Sequence, residues 1–143
     1  MAIYETDFYT WTQQQAAFLK SGRFSEIDLE NLIEEVESMG RSEKRALESR
    51  LIVLLQHLLK WQYQPARRGR SWELTIKGQR MNFIKVLNEN PGLKPSLDRC
   101  LIDAYQFAII EASKETGLDE KTFPSVCPWE LKEITRADFY PES

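Results

Sequence analysis

Three positions carry side chains whose chemistries complement one another: the second glutamate of the Glu34–Glu35 pair, the single histidine His57, and Arg80. A carboxylate, an imidazole and a guanidinium are the parts of a general acid–base or anion-binding site. His57 stands at the border of an apolar helical stripe, one turn before Trp61, where modest changes of surroundings move an imidazole across neutrality. Arg80 falls between Ile76 and Ile84 or Leu87 on the inward side, where leucine would be expected. A guanidinium there must reach water along its stem or find a carboxylate. Glu35 is the expected partner, with Glu111 and Glu115 as substitutes. If Glu35, His57 and Arg80 converge, they form a polar knot in an apolar core, either a register device or a ligand or catalytic site. No catalytic role is assigned to them: no serine or cysteine nucleophile accompanies His57, and Cys100 fits an ordinary small core residue.

A second constellation surrounds the same histidine. The stretch HLLKWQYQPARRGRSW, residues 57–72, holds four cations, no acid and two of the four tryptophans. Lys60, Trp61, Arg67, Arg68, Arg70 and Trp72 form a basic-aromatic binding segment across a helix end, a loop and a helix start. Cations among aromatics suit phosphate contact with base stacking, or an acidic protein surface with cation–π contacts. A net charge of −3 speaks against a general nucleic-acid binder. The expected partner is therefore a protein, with a homo-oligomer as one form of it. The charge is segregated along the chain: 6 bases and 10 acids in residues 1–50, 9 and 3 in 51–100, 4 and 9 in 101–143. The basic middle either pairs with the acidic flanks inside the fold or faces outward.

Asp28, Glu30, Glu34, Glu35 and Glu37 crowd one helical segment. Carboxylate metal sites in bundles also need Glu-x-x-His pairs projecting inward, and one histidine cannot supply them. The expectation is a solvated acidic face, no metal and no cofactor. Adjacent glutamates are also found in helical nucleotide pyrophosphatases, but the second acidic half of that pattern is absent. Cys100 and Cys127 lack metal-ligand spacing; reduced thiols in a cytoplasmic protein are the simplest expectation.

Helices must position all of these residues. Periodicity of 3.6 dominates the chain and no segment alternates like a strand. At 143 residues the chain can bury roughly 70% of its unfolded surface as a single domain, residues 1–143. Tyr4, Phe8, Trp11, Gln15 and Phe18 share one stripe, with Leu19 beside it. Ser25, behind a Phe24 staple, caps a second helix whose buried stripe is Leu29, Leu32, Ile33, Val36 and Met39. Gly40 closes it, and Ser42 opens a third helix to Trp61 with a leucine-rich face. Pro65 stops that one. Ser71 caps a fourth helix, with Trp72, Ile76, Phe83 and Leu87 inward. Pro95 begins a fifth, which Gly117 ends. The proline-rich tail allows one short turn from Pro128 to Ile134. The expected fold is an all-α bundle of about five helices. No run of apolar residues is long enough to span a membrane, and the start lacks the pattern of a secretory signal.

With these residues placed, the chain resembles an uncharacterised bacterial family, abundant in cyanobacteria, known as domain of unknown function 29. The likeness rests on DFYTWTQQQAAFL at 7–19, LENLIEEVESMGRSEKRALESRL at 29–51, LLQHLLKWQYQP at 54–65 and RGRSW at 68–72. Arg80, NENPGLK at 88–94, AYQFA at 104–108 and FPSVCPW at 123–129 continue it in order. The resemblance implies an all-helical bacterial cytoplasmic protein and supplies no activity. Glu34, Glu35, His57, Lys60, Trp61, Trp72 and Arg80 carry over as motif positions without roles.

Overall fold

The structure is a computed structural model and describes residues 3–142. Among the described residues there are helices and turns and no strand. Four helices are long: α2 (Phe8–Lys20), α3 (Leu29–Tyr63), α4 (Arg70–Glu89) and α5 (Leu97–Thr116). Two are short: α1 (Ile3–Thr6) and α6 (Leu131–Ile134). By contacts the chain divides into two compact units, Met1–Ser42 and Glu43–Ser143.

The first unit holds α1, α2 and the beginning of α3. Asp7 caps α2: its carboxylate accepts from the Thr10 amide at 3.1 Å and the Thr10 hydroxyl at 2.7 Å. Those bonds favour the charged form and hold the Asp7 carboxyl below the usual range. After Lys20 the chain reverses through Gly22, whose φ of +73° suits a residue without a Cβ. Asp28 then ties α3 to α2. Its side chain accepts from the Trp11 indole at 3.1 Å and from Asn31 Nδ2 at 2.8 Å, while its amide donates to Gln15 Oε1 at 2.7 Å. These bonds satisfy the indole N–H of Trp11 and the amide oxygen of Gln15, the buried residues of α2.

The sequence predicts a helix break at Gly40 and a cap at Ser42. Neither occurs, because α3 runs unbroken through both. Gly40 keeps a helical backbone rather than the left-handed one a terminator needs. A glycine inside a helix costs about 1 kcal/mol against alanine, and the well-formed turns on either side outweigh it. The staple is absent as well, since Phe24 is exposed in a short 3-10 turn. A larger correction concerns the stripe expected to be buried. Leu29, Val36 and Met39 are each 61% exposed and Ile33 is 50% exposed. Within this unit α3 meets α2 and, through the Tyr4 hydroxyl, α1, and these short helices leave one flank of so broad a stripe uncovered.

The second unit contains the core. Leu47, Leu51, Leu54, Leu55, Leu58 and Leu59 of α3 pack with Ile76 and Phe83 of α4 and with Ala104, Tyr105, Ala108 and Ala112 of α5. Alanines one turn apart on α5 permit close helix approach. Trp72 and Leu87, expected inward, are half-buried. Gly69 rather than Ser71 precedes α4. Pro95 lies in a 3-10 stretch, Pro91–Ser96, just before α5. Gly117 ends α5 with φ +76°, donating its amide to Ser113 O at 2.9 Å. The prolines keep the tail irregular, yet Phe123, Trp129 and Phe139 are buried. Tyr105 pins one part of it, donating to Pro124 O at 2.6 Å. Its short helix α6 opens on a reciprocal Glu130–Glu133 capping box.

Candidate functional site

Arg80 is 3% exposed, and its partners are carbonyls rather than the Glu35 carboxylate expected from the sequence. Nε donates to Ile134 O at 2.7 Å, Nη1 to Ala137 O at 3.1 Å and Nη2 to Phe139 O at 2.8 Å. A helix as short as α6 leaves its last carbonyls without helical donors. The guanidinium fork supplies three donors at once and fixes residues 134–139 against α4. Its carbon lies 5.8 Å from the Tyr140 ring centroid. Burial pulls its pKa below the ordinary value.

Glu35 accepts instead from the Tyr4 hydroxyl within the first unit. That bond stabilises the neutral phenol and pushes Tyr4 up to about 12. His57 Nδ1 lies 2.9 Å from Val53 O. A carbonyl only accepts, so Nδ1 carries the proton and Nε2 the lone pair. Burial pulls the imidazole pKa below 6.5, opposed by the Val53 bond and reinforced by Lys60. Glu35, His57 and Arg80 are each taken up by a partner inside their own unit.

The segment 60–72 is also largely spent internally. Lys60 is buried; its Nζ donates to Glu115 and sits 4.7 Å over the Trp72 ring. That bond holds the Glu115 carboxyl below its ordinary range. Arg68 Nε donates to Trp61 O at 2.6 Å with its guanidinium 5.1 Å from the Trp61 ring, and Trp61 packs on Tyr140 at 4.8 Å. Arg67 and Arg70 remain exposed, and Arg70 approaches Glu73 at 3.6 Å. Of six residues predicted to bind, four hold the loop to its own core.

The first unit holds an apolar groove. A groove of ≈ 440 Å³ runs between α2 and the first turns of α3. Trp11 and Phe8 stack at 5.6 Å on its α2 wall, and Tyr4 meets Trp11 edge-on at 4.7 Å. Ala16 and Leu19 continue that wall; Leu32, Val36 and Met39 form the other. Beyond Val36 the surface stays apolar through Leu29 and Ile33, then turns acidic at Glu30, Glu37 and Glu34, all exposed. Glu34 is paired with Arg41 at 3.0 Å. The sequence predicts a buried stripe for the α3 wall, Leu32, Val36 and Met39, with Leu29 and Ile33. The missed signal is one of extent: a wide stripe at residues 29–39 met only short neighbouring helices.

Both thiols are free; burial raises Cys100 to about 11. Among the described residues no group of three His, Cys, Asp or Glu side chains could hold a metal ion, and no helix is long and apolar enough to cross a membrane. The fold is thus an all-α assembly whose motif residues act mainly as internal clamps. The family described as domain of unknown function DUF29 matches residues 3–140, and the chain belongs to that family. No curated protein and no solved structure matches it.

Proposed function

We propose that this chain is a helical protein-interaction module whose docking surface is the apolar groove and stripe of the first unit. The observation that supports this most is the exposure of Leu29, Ile33, Val36 and Met39 together beside the groove. Scattered exposed apolar residues are ordinary, but a contiguous set bordering a groove marks a binding surface. Methionine at its open end adapts to varied side chains. A trough between two helices takes an amphipathic helix through anchors one turn apart.

Charge narrows the partner. Residues 1–42 carry 3 bases and 8 acids, and acids line the outer edge of the stripe. A phosphate backbone is repelled by such a surface. The occupant is a helix with an apolar face flanked by lysine or arginine.

The test is a photo-crosslinking residue placed at Val36 in the full chain and activated in the host cell. The expected result is a discrete protein adduct, absent when the same group replaces exposed Gln13 on α2. Equal or no protein capture at the two positions contradicts the reading.

A further inference from the structure

Resting on that reading, we infer that the occupant is α4 of a second copy of this chain. The outward face of α4 has the chemistry the groove requires. At 100° per residue, Arg70, Leu74, Lys77, Met81, Ile84 and Lys85 fall within an arc of about 100°. All six are exposed, with Leu74 at 50% and Met81 at 62%. The arc holds three apolar anchors, three cations and no acid. Lys77 and Lys85 make no ion pair among the described residues, so their charges are free for a partner. A hollow of ≈ 570 Å³ gives this face relief; Met81, Ile84, Lys85, Asn88 and Glu89 line it.

The other exposed apolar strip in the second unit, Ile102, Phe107 and Ile110 on α5, lacks this match. It runs among charges already paired in place, Arg99 with Asp103 and Lys114 with Glu111. Unlike the α5 strip, the α4 face offers Lys77 and Lys85, unpaired among the described residues, beside apolar anchors and opposite in sign to the groove's acidic edge. Opposite charges set the register of such a contact, and like charges exclude wrong pairings. Each chain has one groove and one α4 face. A two-fold pair in which each α4 enters the other copy's groove makes two identical contacts.

The experiment is sedimentation velocity on the full chain and on two charge-reversed variants, Lys77→Glu/Lys85→Glu and Glu30→Lys/Glu37→Lys. All four positions are exposed, and far-UV circular dichroism confirms that the helices persist. The wild-type chain is expected to be a dimer at micromolar concentration and low salt. Each variant alone should weaken self-association at least about tenfold, and an equimolar mixture of the two should recover a dimer of wild-type strength, since both contacts are again complementary. A wild-type monomer at every concentration overturns the inference, as do variants that dimerise unchanged or a mixture that stays monomeric. The Val36 adduct separates this failure from failure of the docking reading. A Val36 adduct with a different protein in a monomeric chain keeps the docking surface and discards self-pairing, whereas no adduct discards both.

Discussion

Arg80 is 3% exposed with no carboxylate in contact among the described residues, and three carbonyl oxygens share its charge. Hydrogen bonds from a charged donor are each worth about 1.5–3 kcal/mol, and the orphaned carbonyls add to the loss when the donor goes. Arg80→Gln should therefore lower unfolding stability by roughly 2–4 kcal/mol and speed proteolysis within residues 134–142. Urea unfolding and limited digestion check this, and an unchanged midpoint contradicts the clamp. His57 makes a different, pH-dependent contribution. Its folded pKa lies below 6.5 because burial disfavours the imidazolium. The unfolded chain takes up a proton near pH 6.5 that the folded chain resists, so stability is complete above that value and declines as pH falls through it. The wild-type urea midpoint should drop more between pH 7.5 and 5.5 than that of His57→Gln. Equal drops in the two proteins refute the assignment.

At the scale of elements, the continuity of α3 is the feature with most consequence. Gly40 sits in helical backbone, and an added Cβ would meet nothing within 4 Å. Gly40→Ala should accordingly raise stability by about 0.5–1 kcal/mol. A true terminator at that position would instead be strained by alanine, as Gly117→Ala should be at φ +76°; paired urea titrations decide between the two. The all-α architecture was legible because 3.6-residue periodicity and the stops at Pro65 and Gly117 act locally. The bond that ties α2 to α3 through Asp28 was not, because it depends on which side chains meet across a turn. The same limit hid the partner of Arg80. Residue types announced a buried cation, but a carbonyl acceptor belongs to any residue and leaves no mark in the sequence. The predicted buried stripe at 29–39 shows the complementary error: amphipathicity says that a face needs covering, not that this chain covers it.

At the scale of the whole molecule, charge is partitioned between the units. The first has 3 bases and 8 acids, and residues 43–143 have 16 bases and 14 acids. The segregation read along the sequence is partly resolved inside the second unit, where Lys60 meets Glu115. It is not resolved on the stripe of the first unit, where Glu30 and Glu37 stay exposed beside apolar side chains. Such a surface is stable in water only at the cost of keeping several large apolar groups wet, and a covering helix removes that cost. The most direct measurement is the capture yield from the photo-crosslinking group at Val36 in the host cell, set against the same group at Gln13. The proposed docking surface requires a protein adduct at Val36 in large excess over Gln13. Equal yields at the two positions would mean that the stripe is left to solvent and that the groove is not a docking surface.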